Sequence, residues 1–384
     1  DKTVAYVNEH MDTLSGISVN EDMIRKYNYS EYFSSIIGYT GPISESEYTA
    51  LHKKNKDYTQ NDTVGKAGME QYYETYLRGK NGERKFYIDN VGRISEIISS
   101  TDSVAGDDLY LSIDADLQRA TYLALQNEIA AIVYSNIKSG EIPINDVYTA
   151  LIGNSVINTE HFSKSKASDT EKSVLSVFKS RQKTTLGKIK QELTSSPEAL
   201  NTMSDEVLDE FTYIISMLKD DQVLLKNEID TSDSVYQKWK DQKISPKEYL
   251  SYCITQHWID ISQLNVDEKY ADSTEVYDAL CKYILKNIKT DTEFSKIIYQ
   301  YMITRGEISP RQLCLILFDQ GVLDYDDATV NKLKNGSLSP RDFLMKKIYN
   351  IEITPAQLAL EPCTGSCVVT DEKTGEIRAM VSYP

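Results

Sequence analysis

From about Asp116 to Ile353 the chain is poor in glycine and its apolar residues recur at helical spacing, whereas the residues on either side have a different texture. Val207, Leu208, Phe211, Ile214, Ile215 and Leu218 follow the i, i+1, i+4, i+7, i+8, i+11 pattern of one buried helix face, and Val276, Leu280, Ile284 and Ile288 repeat it. A stretch this long with that period has to form an all-α domain of its own. The flanks must then supply whatever sheet the molecule has.

The preceding part is rich in Gly and Tyr. Lys85 to Asn90 alternates like a strand, Gly92 supplies a turn, and Arg93 to Ser99 continues as a second extended run, which reads as a hairpin. Leu109, Leu111 and Ile113 fall on one face of an expected strand. Asp114 then offers an N-cap to a helix opening Ala115-Asp116-Leu117-Gln118. At the far end, Cys367 to Thr370 and Ile377 to Val381 flank the turn-rich Asp371-Glu372-Lys373-Thr374-Gly375-Glu376. This predicts a second hairpin with Val368 or Val369 and Ile377, Ala379 and Val381 on buried faces. Two strands need more sheet to pack on, so a downstream continuation is expected. The fold class is α+β: a small mixed α/β domain with β-hairpins over 1–126, a large all-α inserted domain over 127–359, and a terminal β-hairpin over 360–384. A length of 384 residues suits two or three domains.

Within the helical middle, Ile244-Ser245-Pro246, Ile308-Ser309-Pro310, Leu338-Ser339-Pro340 and Ile353-Thr354-Pro355 echo one another. Each reads as a helix start, with Ser or Thr capping and Pro at the first helical position, where no amide hydrogen is missed. Their spacing is too uneven for a solenoid repeat.

Lys and Arg total 42 against 58 Asp and Glu, a net charge of −16, so a surface built to neutralise nucleic-acid phosphates is not expected. The longest apolar runs, Ile129 to Tyr134 and Leu313 to Phe318, are far short of the roughly 18 residues that cross a bilayer. The chain opens at Asp1 with neither a basic nor an apolar leader, so a signal or anchor is expected upstream. Five cysteines without a C-x-x-C pair signal neither a disulfide framework nor a zinc ribbon. Cys253, Cys281 and Cys314 read as small buried hydrophobes, and a strand at Cys367 would hold it too far from Cys363 to favour a bond. His10, His52, His161 and His257 are scattered singly, with His257 read as a packed helix residue. Asp324, Asp326 and Asp327 lack the glycine and terminal Glu of a calcium loop, and no phosphate-loop or dinucleotide pattern occurs, so no metal and no cofactor is expected.

Gly38-Tyr39-Thr40-Gly41, Gly65-Lys66-Ala67-Gly68-Met69-Glu70 with Tyr73-Glu74, Leu77-Arg78-Gly79 and Gly82 resemble, in order and spacing, the dimerisation or pedestal module of class B penicillin-binding proteins. Gly92-Arg93, Gly106, Leu109 to Asp114 and Leu117-Gln118 continue the likeness. Gly365 to Asp371, Lys373 to Ile377 and Ala379 to Pro384, including Asp371 and Gly375, resemble the strand pair that opens that family's transpeptidase domain. The likeness covers roughly residues 30 to 126 and 360 to 384, and the segment from Ala130 to about Leu360 stands outside it as an insertion. These positions are read as structural, with Glu70, Arg78 and Arg93 in packing or ion pairs and no catalytic residue among them.

The family's chemistry uses a Ser-x-x-Lys nucleophile, a Ser-x-Asn and a Lys-Thr-Gly. Ser163/Lys166, Ser176/Lys179, Ser180/Lys183 and Ser216/Lys219 have the first spacing, but so short a pattern of common residues recurs by chance. Ser18-Val19-Asn20 precedes them all, in the wrong order, and Lys373-Thr374-Gly375 falls in a turn. The nucleophile is therefore expected beyond Pro384. The resemblance implies a parent D,D-transpeptidase that cross-links peptidoglycan stem peptides from the extracytoplasmic face of a membrane that anchors it. Implied partners are a polytopic glycosyltransferase and shape or division scaffold proteins, and the resemblance also admits a homodimer. Two other readings stay open: a helical adaptor whose insert captures a partner, and a self-contained serine acyltransferase using an internal Ser-x-x-Lys pair.

Overall fold

A computed structural model describes residues 2–10, 14, 25–88, 94–195, 198–266 and 272–383. It divides into two compact units, Asp1–Gln126 with Thr364–Pro384, and Asn127–Cys363. The architecture is α+β as expected, with short antiparallel sheets and no closed barrel among the described residues.

The first unit starts with α1 (Lys2–Glu9) and α2 (Ser30–Ile37), then β1 (Thr40–Pro42), α3 (Glu45–Lys54) and β2 (Thr63–Gly65). Two single-turn helices follow, α4 (Gly68–Tyr72) and α5 (Glu74–Leu77), and then the ribbon β3 (Glu83–Ile88) and β4 (Ile94–Thr101). Helix α6 (Ala115–Ser139) is divided between the units after Gln126. The terminal strands β5 (Gly365–Thr370) and β6 (Ile377–Tyr383) complete this unit. Strands β1 and β2 pair through Gly41 and Val64, β3 and β4 through Phe86 and Ile97, and β5 and β6 through Cys367 and Val381, all antiparallel. The turn expected at Gly92 and Arg93 lies outside the described residues, between the paired Ile88 and Ile94.

Two local expectations are corrected here. Leu109, Leu111 and Ile113 form no strand: residues 107–111 run without regular structure, with Leu109 and Leu111 exposed. Alternation alone does not make a strand where no neighbouring strand takes its amides and carbonyls. In the terminal hairpin the buried face is Ala379, Val381 and Tyr383, whereas Val368 is 58% exposed and Ile377 38%. The register break between Val369 and Thr370 and the turn at that end leave Ile377 on the rim. Asp114 does cap α6, its Oδ1 accepting from the Leu117 amide at 2.9 Å.

The second unit is helical: α7 (Ile144–Gly153), α8 (Asp169–Thr194), α9 (Asp205–Asp220), α10 (Ser234–Lys240), α11 (Pro246–Thr255) and α12 (Ser273–Ile288), then α13 (Thr292–Thr304), α14 (Pro310–Asp319), α15 (Asp327–Asn335), α16 (Pro340–Tyr349) and α17 (Pro355–Leu358). Helix α13 packs on α7, α8 and α9, with Tyr299 stacked on Phe178 at 4.2 Å and edge-on to Phe162. Phe211, Ile214 and Leu218 of α9 and Leu280, Ile284 and Ile288 of α12 are fully buried, as their spacing requires.

The Ser/Thr-Pro echoes all open helices, capped by Ser245, Ser309, Ser339 and Thr354 with Pro at the first helical position. The structure adds how the helices before Ile308, Leu338 and Ile353 close. The amides of Ile308, Leu338 and Ile353 bond back to the carbonyls six residues earlier, Met302, Lys332 and Lys347, and so do those of Ile157, Leu224 and Leu323. A left-handed residue sits at each exit, Gly306, Gly336 and Ile351 among them. The left-handed exit sends an apolar residue straight into the core, so one helix stop and the next helix start share a few residues; before Ile308 and Ile353 it also carries the five-residue Schellman bond, from the Glu307 amide to the Met302 carbonyl and from the Glu352 amide to the Lys347 carbonyl. His257 is one of these exit residues, exposed in the left-handed region, and not a packed helix residue.

Candidate functional site

The glycines singled out in the sequence build two close joints in the first unit. Gly38 lies against α4: a Cβ there would stand 1.9 Å from the Ala67 carbonyl oxygen, and one on Gly68 would stand 2.5 Å from that of Ile36. Both have positive φ, so each is required twice over, by conformation and by space. Gly106 forms the second joint, where a Cβ would meet the Leu77 carbonyl at 2.2 Å; Gly79 opposes Val104 in the same way. Gly65 leaves room only for the Glu70 backbone, but Gly41 faces nothing tighter than the Lys66 side chain at 3.3 Å.

Around these joints sit two buried acids. Glu70, 6% exposed, is paired with Arg25 at 3.1 Å. Glu74 accepts from the Gly65 amide at 2.7 Å and from the Tyr58 hydroxyl at 3.2 Å, so it ties α5 to β2. Burial, with Glu74 alongside, pushes the Tyr58 hydroxyl up to about 12. Arg78 lies 3.9 Å over the Tyr58 ring, bonds the Asp57 carbonyl at 2.8 Å and is paired with Asp62. Every one of these groups has its partners inside the unit. Arg93 lies outside the described residues.

Gln118 is the polar centre of the unit and has no exposed surface. Its Nε2 donates to the Tyr32 carbonyl at 2.8 Å and to the Met380 carbonyl at 2.9 Å, and its Oε1 accepts from the Met380 amide at 2.8 Å. The side-chain amide thus occupies the place of a neighbouring strand along the outer edge of β6 and joins it to α6 and α2. Asp114 extends the contact: its amide donates to the Arg378 carbonyl at 2.8 Å, while Ser112 Oγ donates to that of Ile377 at 2.8 Å. Tyr122 stands edge-on between Tyr32 and Tyr383, at 5.1 and 5.2 Å. Leu117, beside Gln118, is 36% exposed and takes no part in the clasp. At the far end of the hairpin, Asp371 accepts from the Lys373 and Thr374 amides at 2.8 and 3.0 Å. These bonds, the Thr374 one foremost, hold its carboxyl below the ordinary range, and Gly375 takes a positive φ in the same turn. Lys373-Thr374-Gly375 therefore occupies a solvent-facing turn.

Among the Ser-x-x-Lys pairs, Ser176 and Ser180 are exposed along α8, Ser216 is exposed on α9 and reaches Asp220, and Ser163 caps back onto the Glu160 carbonyl. None is set at a helix start facing a second catalytic group. Ser18-Val19-Asn20 lies outside the described residues. Among the described residues no three His, Cys, Asp or Glu side chains gather to hold a metal. Cys253, Cys281 and Cys314 are buried and free, their thiols raised by burial to about 12, 11 and 12, and Cys363 and Cys367 are free and half-exposed.

The sequence reading missed the charged groups buried in the second unit. Glu206, 3% exposed, takes both Arg181 (3.0 and 3.1 Å) and Arg305 (2.6 Å), and Arg181 also faces Glu307 at 3.5 Å. One turn on, Glu210 is 1% exposed with no partner for Oε1; burial, reinforced by Glu206, raises its carboxyl to about 8. Glu171 is pushed up by burial, but bonds from Gln320, the Ser168 amide and His161 outweigh this and hold it below its ordinary value. All three acids lie at helical spacing from apolar core residues, and that spacing was the only signal in the sequence that could have found them.

Glycine joints, inward-paired acids and a clasped terminal hairpin hold the first unit together. Residues 1–111 match the penicillin-binding protein dimerisation domain. The peptidoglycan D,D-transpeptidase MrdA of Salmonella typhimurium strain LT2 is 30% identical over 130 residues, 33% of this chain and 21% of that protein. Penicillin-binding protein 2A of Bacillus subtilis strain 168 is 32% identical over 132 residues, 34% of this chain and 18% of that protein. The MrdA of Escherichia coli K12 is 30% identical over 129 residues, 33% and 20%. The likeness to class B penicillin-binding proteins expected from the sequence is borne out, and the match also takes in residues 1–29, which the sequence reading left outside it. The chain matches about a fifth of the length of these relatives. Among the described residues no helix is long and apolar enough to cross a membrane.

Proposed function

We propose that this chain is the non-catalytic, extracytoplasmic pedestal of a membrane-anchored peptidoglycan D,D-transpeptidase, with the helical unit as an insertion and the terminal hairpin as the first strands of the transpeptidase domain. The site residues named above act structurally in this reading. The clasp of Gln118 on β6 carries it: a polar tie of fixed length and direction holds the strand that leads toward the reacting domain. Holding that domain at a set height and orientation to the glycan strands raises the effective concentration of its stem-peptide substrate. A polytopic glycosyltransferase and a shape or division scaffold are the partners that such a support would present, with a second copy as a further candidate. The exposed mid-helix settings of Ser176, Ser180 and Ser216 count against the chain being an enzyme by itself.

Intact mass after exposure to a reactive labelled penicillin tests this, on the present chain and on one extended through the following domain. An adduct on the extended chain alone is expected. An adduct on the 384-residue chain that disappears in S176A or S216A would overturn the proposal.

A further inference from the structure

The joint between α5 and Gly106 has a second consequence. Because Gly106 lets the chain pass hard against the Leu77 carbonyl, and the Asp107 amide bonds the Tyr76 carbonyl at 2.8 Å, residues 107–109 are laid alongside α5. A groove of about 230 Å³ opens between them, lined by Tyr73, Tyr76, Leu77, Asp107, Asp108 and Leu109. Two tyrosines line it, Tyr76, which is 61% exposed, and Tyr73, whose ring stands 6.1 Å from that of Tyr76. Two acidic residues, Asp107 and Asp108, also line it and are exposed. The groove is smaller than the roughly 300 Å³ at which small-molecule and cofactor pockets begin, so it has room for one long side chain.

We propose that this groove binds a lysine or arginine side chain presented by a peptide segment of a partner protein. The negative face of a tyrosine ring attracts a cation, and the two lining carboxylates supply the charge that a neutral ligand would leave unused. Leu77 and Leu109 cover the aliphatic stem of such a side chain, whose charged head then reaches Asp107 and Asp108. The same unit already makes this contact internally, with Arg78 over Tyr58 at 3.9 Å. The flat tyrosine faces would also suit a neutral sugar, but a sugar makes no demand for paired carboxylates. The inference does not depend on what the parent protein catalyses.

The test uses the 384-residue chain and three probes: a labelled peptide with one central arginine flanked by leucines, the same peptide with citrulline in place of arginine, and a neutral N-acetylglucosamine tetramer. Affinity is read by fluorescence anisotropy for the peptides and by tyrosine NMR shifts for all three. The arginine peptide should bind at least about fivefold tighter than the citrulline peptide and weaken with added salt. The D107N/D108N double variant should lose about that factor, Y76A should lose more, and Y76F should retain binding. Asp107 and Asp108 are exposed, so the double variant keeps its fold, which circular dichroism checks. Equal binding of the arginine and citrulline peptides, indifference to D107N/D108N, shifts of Tyr76 with the sugar alone, or no binding of any probe would each overturn the proposal.

Discussion

Replacing Gln118 with leucine keeps most of the side-chain volume and removes all three hydrogen bonds, leaving both polar groups of Met380 without partners, while the Tyr32 carbonyl keeps its place in the α2 ladder. A lost hydrogen bond costs about 1 kcal/mol, and a buried group left unsatisfied costs about 1–3 kcal/mol. Met380 is 37% exposed, so water recovers part of this, and we expect a loss of about 3 kcal/mol in the local stability of β6. At about 1.4 kcal/mol per factor of ten, that corresponds to an acceleration of amide exchange at Met380 of about 100-fold. Hydrogen exchange followed residue by residue is the assay, with the core amides of α12, in the second unit, as internal reference. Q118E separates charge from shape. The introduced carboxylate can still accept from the Met380 amide but faces two carbonyls it cannot donate to, which raises its pKa above the unfolded value. Stability is therefore fully present at acid pH and lost as pH rises through the raised value. If Q118L left Met380 exchange within a factor of three of the parent while Q118E showed no pH dependence, the clasp would not be what holds β6.

Glu210, raised from 4.5 to about 8, binds a proton on folding, so its contribution is full below about pH 4.5, declines between there and 8, and is constant above. E210Q should remove this slope and gain up to about 3 kcal/mol at pH 7, read as the difference in denaturant midpoints between pH 5 and 8; a slope unchanged by E210Q would refute the assignment. Gly38→Ala places a methyl 1.9 Å from the Ala67 carbonyl at a positive φ and should unfold or misfold the first unit, whereas Gly41→Ala should cost under about 1 kcal/mol; equal thermal shifts would sink the distinction. A thiol reagent should label Cys363 and Cys367 in the folded chain and reach Cys253, Cys281 and Cys314 only after denaturant is added, as counted by mass spectrometry. Arg78→Lys keeps a charge but loses both the stacked guanidinium and its fork, and should destabilise the first unit by about 1–2 kcal/mol in a thermal melt, with no change for Lys85→Arg on the exposed ribbon.

What could be read from the sequence was local. The Ser/Thr-Pro starts, the buried faces of α9 and α12 and the Asp114 cap each depend on residues within one or two turns of one another, so spacing alone reports them. The clasp was invisible as a contact because Gln118 and Met380 are 262 positions apart, and nothing in the composition of either neighbourhood pairs them. Arg25 and Glu70, 45 positions apart, are hidden for the same reason. The mistaken strand at Leu109 to Ile113 shows the converse: alternation was read correctly, but the segment is spent on laying Asp107 beside α5 and Ser112 beside β6, and those long-range bonds displaced a ladder. Glu206 and Glu210 interrupt an apolar face without interrupting its burial: Arg181 and Arg305 cover one acid, and burial raises the carboxyl of the other, which favours its neutral form.

The two units are held by different physics, and the difference bears on what each can do. Helices α8, α9 and α12 run 26, 16 and 16 residues and bury continuous apolar faces, a non-directional attraction that tolerates small shifts between neighbours. Helices α4 and α5 have five and four residues, too few to stand without tertiary support, and strands β1 and β2 have three each. What fixes them is a small set of directional contacts: the Gly38 and Gly106 joints, Glu74 on the Gly65 amide, Arg78 on Asp62, Gln118 on Met380. Such contacts give little free energy apiece but lose it within a few tenths of an ångström. A unit assembled from them is specified in angle and distance more sharply than its modest core would otherwise allow, and that sharpness is what the positioning role proposed above would need.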